Sequence, residues 1–110
     1  MKVLVCGSRH WLESQPIYDR LKELKPDLVI HGDARGADRI AARVAEELGI
    51  RTQAFPADWS LGKRAGPKRN LEMLDQNPDL VLAFQLDNSR GTQHTIDNAK
   101  KREIPVEIHT

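Results

Sequence analysis

The chain has one cysteine, Cys6, in 110 residues. That excludes an internal disulfide and leaves a cysteine-based metal site without support. It has no apolar run near the ~20 residues that a membrane-crossing helix needs. Nor has it an excess of one charge: the formal net charge is +1, with no basic tail or basic helix, which gives no reason to expect general nucleic-acid affinity. Linkers, repeats and low-complexity tracts are missing too. The four histidines, His10, His31, His94 and His109, show no metal-ligand spacing. Met1-Lys2-Val3-Leu4-Val5-Cys6 turns polar too soon for a signal peptide and reads as a first strand. What remains is 39% hydrophobic and 30% charged, the balance of a soluble globular protein with a real core. The expectation is one domain over residues 1–110, in the cytoplasm, bound to no membrane.

Five short apolar runs punctuate the chain: Val3–Cys6, Leu28–His31, Arg51–Phe55, Leu80–Phe84 and Pro105–Ile108. Three are nearly continuous, as parallel strands buried on both faces require. Helical spacing separates them. Ile17, Leu21 and Leu24 follow Pro16, which suits a first turn. Ile40, Val44, Ala45 and Leu48 lead to Gly49 as a C-cap. Leu71 and Leu74 mark a third helix starting near Gly66-Pro67. Ile96 and Ala99 mark a fourth, from about Gly91 to Arg102, with basic residues at its negative end. The alternation predicts an α/β fold: a three-layer Rossmann-like open parallel sheet of about five strands, order 3-2-1-4-5, with helices on both faces and a long loop from Pro56 to Ala65.

Ligands bind such sheets outside the carboxyl ends of the strands, where strand order reverses. The segments leaving that edge carry Arg9, Arg35, Lys63, Arg64, Lys68, Arg69 and Arg90. A nearly neutral protein that gathers guanidinium groups there has the donors for an anion, phosphate above all. Gly32-Asp33-Ala34-Arg35-Gly36-Ala37-Asp38 is a glycine-bearing loop opening a helix. It either approaches an anion with its backbone N–H groups or is a turn that Gly36 shapes and Asp33 or Asp38 caps. Gly7-Ser8-Arg9 offers a sharp turn, a hydroxyl and a cation. In Gly66-Pro67-Lys68-Arg69-Asn70, cations crowd a helix start, a conflict with the dipole that a bound anion relieves. Ser89-Arg90-Gly91-Thr92 is either a phosphate cup or an ordinary N-cap. Asp33 and Asp87 are the better candidates for ligand contact among the carboxylates, whereas Asp38 reads as a cap. Trp11 and Trp59 both fall in loops at this edge, where each either stacks on a base or covers the core. His10 reads equally as a surface residue, and Cys6 as a small core residue.

Taken together and in this order, Gly7-Ser8-Arg9, His31 to Asp38, Gly62-Lys63, Gly66 to Asn70 and Ser89 to Thr92 resemble the SLOG superfamily, most closely its YspA-like branch of small stand-alone proteins. The resemblance spans essentially the whole chain. It implies a Rossmann-like fold related to LOG phosphoribohydrolases and to the DNA-processing protein DprA, a nucleotide or nucleotide-derived ligand such as an ADP-ribose derivative, and a homo-oligomer. LOG enzymes carry Pro-Gly-Gly-x-Gly-Thr-x-x-Glu. Here Gly91-Thr92 is kept, Asn88-Ser89-Arg90 replaces the preceding glycines, and Thr95 stands at the glutamate. The phosphate cup is thus expected to persist while the LOG catalytic pair is incomplete.

The leading expectation is a sensing or processing module that holds phosphate at Ser89–Thr92 and clamps it with Arg9 and Arg69 or Arg90. The Gly32–Asp38 loop closes one side, and Gly66, Lys63 and Asn70 stand at the same edge. The alternative is a nucleotide hydrolase cutting an N-glycosidic or phosphate-ester bond, with Asp33, Arg69, Asp87 and His94 as candidates. DNA binding, by analogy with DprA, ranks last. No metal or cofactor is called for.

Overall fold

A computed structural model describes residues 1–86 and 89–110; Asp87, one of the candidate carboxylates, lies outside them. The elements run β1 (Lys2–Gly7), α1 (Gln15–Leu24), β2 (Leu28–His31), α2 (Ala37–Glu47), β3 (Arg51–Ala54), a 3-10 segment (Trp59–Arg64), α3 (Ala65–Leu74), β4 (Leu80–Phe84), α4 (Arg90–Lys101) and β5 (Val106–His109). All strand pairs are parallel, in the order β3-β2-β1-β4-β5. This is the Rossmann-like sheet that the sequence predicts.

Successive side chains of a strand point to opposite faces, and the core divides accordingly. Val3, Val5, Val29, Leu82 and Phe84 pack with Ile17 and Leu21 of α1 and with Ala41 and Val44 of α2. Leu4, Cys6, Ile30, Val81 and Ala83 pack with Met73 and Leu74 of α3 and with Ile96 and Ala99 of α4. Phe84, fully buried at the end of β4, meets the Trp11 ring edge-on at 5.4 Å and stacks on His109 of β5 at 4.8 Å.

Several expectations are corrected in detail. The third helix begins at Ala65, and part of the expected Pro56–Ala65 loop is the 3-10 segment, kinked at Gly62 (φ 68°). The fourth helix runs from Arg90 to Lys101, as expected to within a residue. All four residues of β3 are exposed, as an edge strand allows. Of the two roles open to Trp11 the structure shows the core: its ring meets Phe84 and its Nε1–H donates to the Glu13 carbonyl at 2.6 Å.

Candidate functional site

Strand order reverses between β1 and β4, so the chain leaves those two strands in opposite directions and opens a crevice at their carboxyl ends. A cleft of about 540 Å³ occupies that position, within the size range of small-molecule sites.

Its first wall is the turn after β1. Gly7 has no room for a side chain: a Cβ there would run into the Phe84 carbonyl and the Ala37 methyl. The Ser8 N–H donates to the Phe84 carbonyl at 2.9 Å, and the Ser8 carbonyl accepts from the N–H groups of Trp11 and Ala37, each at 3.2 Å. Ser8 is thereby buried and fixed between two loops, with its Oγ accepting from the His10 N–H at 3.1 Å. Arg9 and His10 extend from this turn into the cleft lining with exposed side chains.

The second wall is the loop from β2 to α2. Here Gly32 lies between two charged groups. Its N–H donates to Asp38 Oδ2 at 3.0 Å, and its carbonyl accepts from Arg69 Nη1 at 2.6 Å. Asp38 Oδ2 also accepts from the Ala34 N–H at 3.4 Å. The expected helix cap is therefore corrected: Gly36 occupies the cap position without a side-chain bond, and Asp38 braces the preceding loop. Burial pushes the Asp38 carboxyl up to about 6, against the opposing pull of Arg69 and the two N–H donors. His31, buried at the end of β2, accepts the Asp33 N–H on Nδ1 at 3.0 Å. Desolvation lowers its pKa, which favours the neutral ring that this bond needs.

Arg69 of α3 is held rather than free. Besides Gly32 it reaches the Phe55 carbonyl at 3.4 Å, and its Nε donates to Asn70 Oδ1 at 3.0 Å. Lys68 and Arg69 are the fourth and fifth residues of α3, and Lys68 pairs with Glu72 at 3.8 Å. The expected conflict of both cations with a helix start is thus corrected, and the argument for a relieving anion there falls. Asn70 donates through Nδ2 to the Gly91 carbonyl and lies 3.3 Å from His94 Nδ1, which ties α3 to the start of α4.

That start forms the third wall. Ser89, Arg90, Gly91 and Thr92 all line the cleft, and Ser89 makes no side-chain capping bond. Its Oγ instead lies 2.8 Å from Thr92 Oγ1. The first turn of α4, the positive end of its dipole, thus lies in the cleft wall. Arg9 and Arg90 form no ion pair with any described residue.

The structure thus brings Gly7, Ser8, Arg9, Asp38, Arg69, Asn70, Ser89, Arg90, Gly91 and Thr92 to one cleft. Gly32 and Gly36 stand behind it as backbone: Gly36 (φ 84°) has the Ser8 and Arg9 backbone where its Cβ would be. Asp33 and Arg35 are exposed outside the lining, Asp33 facing Arg39 at 3.7 Å. Lys63 and Gly66 are outside it too, and His94 touches it only through Asn70.

Sequence reasoning missed Met73 and Leu86 in the lining, and it named Ala34 only as part of the Gly32–Asp38 loop. Thr95, noted only as standing at the LOG glutamate, lines the cleft one turn after Gly91, with its Oγ1 donating to the Gly91 carbonyl at 3.3 Å. The periodicity of α4 holds that signal, since Thr92 and Thr95 share a face. Cys6 lies at the cleft floor, where burial raises its thiol pKa well above the usual range. Asp38 is the one carboxyl side chain in the lining among the described residues, and these residues contain no cluster able to hold a metal ion.

No helix among the described residues is long and apolar enough to cross a membrane. A family model described as "YspA, cpYpsA-related SLOG family" matches residues 1–62. The Gene 61 protein of Mycobacterium phage D29 is similar throughout: 41% identical over 116 aligned positions, covering 96% of this chain and 93% of the phage protein.

Proposed function

The chain belongs to the YspA, cpYpsA-related SLOG family, and we propose that its carboxyl-edge cleft binds a nucleotide or nucleotide-derived phosphate, as a sensing or processing module. One observation carries the reading: the start of α4, where Ser89 makes no side-chain capping bond, lines the same cleft as Arg9 and Arg90, two arginines without ion-pair partners among the described residues. Backbone N–H groups and the dipole supply a phosphate cradle, and guanidinium forks supply the remaining donors. Arg69, also in the lining, shapes the site by holding Gly32. A net charge of +1 favours a small anionic ligand over a nucleic-acid strand. The family supports a homo-oligomer, and a nucleotide ligand suits the cytoplasm.

Asp38 favours a second reading, hydrolysis of the bound nucleotide. It is a carboxyl in the cleft lining with a pKa of about 6, near the value that suits general acid–base work.

Ligand-observed proton NMR on a mixture of nucleoside mono- and diphosphates, ADP-ribose and NAD, followed over hours, tests both readings. Selective line broadening without new peaks supports binding alone. Free base or ribose phosphate appearing with time establishes the hydrolase, and unaltered spectra remove the nucleotide reading.

A further inference from the structure

Among the described residues four large apolar side chains are well exposed: Met1, Leu12, Trp59 and Ile108. Of these only Trp59, 70% exposed, lines the cleft. It belongs to neither core cluster, so packing does not account for its size. An indole in water exposes apolar area at a cost that burial would remove.

Its backbone is nonetheless fixed. Asp58 caps the segment, its Oδ1 accepting from the Ser60 N–H at 3.1 Å and from the Ser60 hydroxyl at 2.6 Å. The Leu61 N–H closes the turn on the Asp58 carbonyl at 3.0 Å. The ring tip lies beside α3: a Cβ on Gly66 would be 4.0 Å from Trp59 Cη2. A solvent-facing aromatic ring on a hydrogen-bonded turn therefore stands at a cleft whose other lining groups include Arg9, Arg69 and Arg90.

We infer that Trp59 is the stacking platform for the planar base of the ligand and makes the site select nucleotides over simple sugar phosphates. This rests on the nucleotide reading of the cleft. Arg9, Arg90 and the α4 start answer the phosphate, whereas Trp59 answers a π-face, which every nucleobase has. Stacking of this kind tolerates base identity, so the selection is for a base against no base.

The test compares AMP with ribose 5-phosphate, which keeps the phosphate and sugar and lacks the base, on wild type, W59F and W59A. AMP is expected to quench wild-type tryptophan fluorescence saturably, because the other tryptophan, Trp11, is buried in the core. W59A should weaken AMP binding by roughly tenfold or more, the scale of one lost base stack, and leave ribose 5-phosphate affinity unchanged. W59F should recover most of the loss. Equal wild-type affinity for the two ligands, or an AMP affinity that W59A does not lower, overturns the role of Trp59 while the phosphate site stands. If neither ligand binds wild type, the nucleotide reading falls with it. Should W59A not fold, the quenching and the W59F comparison decide alone.

Discussion

Gly32 joins the two oppositely charged side chains beneath the ligand edge, donating to Asp38 and accepting from Arg69. Replacing Arg69 by alanine removes a charge-assisted bond to a carbonyl and leaves the buried Asp38 carboxylate less well answered. The expected loss is ~1.5–3 kcal/mol of stability, read by urea unfolding, with weaker ligand binding as a consequence. Replacing the exposed Arg90 by alanine should weaken binding by a similar ~1.5–3 kcal/mol and leave the unfolding midpoint unchanged. Asp38 gives a pH signature. Its pKa is raised from 3.8 to about 6, so the folded chain holds that proton more tightly than the unfolded chain does. Its stabilising contribution is therefore complete below about 3.8 and is lost as pH rises through about 6. Across that window the stability of wild type relative to D38N should fall, by ~3 kcal/mol at most, in urea unfolding at a series of pH values. A constant difference would show that Asp38 titrates normally. Glycine, aspartate and arginine were legible in the sequence as one group of motifs. Their division of labour was not, because the bond from Arg69 to Gly32 spans 37 positions and local pattern does not register it.

The two loops that form the first and second walls are locked by close backbone approach. Gly36 has φ 84° and the Ser8 and Arg9 backbone beside it, whereas Gly49 has φ 73° and nothing within 4 Å. G36A therefore combines strain with collision and should destabilise by ~1–3 kcal/mol or more. G49A bears the backbone strain alone and should cost about 1 kcal/mol. Thermal denaturation of the two variants separates the terms. The strands and four helices were legible because apolar runs and helical spacing alternate cleanly. The 3-10 segment was not, since its six residues bury none of their side chains and so lack any apolar period. Trp11 left two readings open for a related reason: its loop position is local, while the contact with Phe84 that decides for the core depends on the sheet.

At the scale of the molecule, one topological fact places the chemistry. Order β3-β2-β1-β4-β5 sends the chain away from β1 and β4 in opposite directions, and the segments that follow them build the cleft. That order follows from alternation and handedness, which made the edge that carries the cleft legible in the sequence. Which cations at the edge pair internally was not legible, and here Arg9 and Arg90 part from Lys68 and Arg69. A phosphate held by exposed cations, as proposed, should bind more weakly as salt rises. The most direct test of the central claim is a ¹H–¹⁵N correlation titration of the whole chain with ADP-ribose. Shifts confined to the amides of Gly7 to Arg9, the Gly32–Asp38 loop and Ser89 to Thr92 are expected. Shifts at the opposite edge, around Lys100 to Arg102, or no shifts at saturating ligand with ADP-ribose and then with AMP, would contradict a nucleotide site in this cleft.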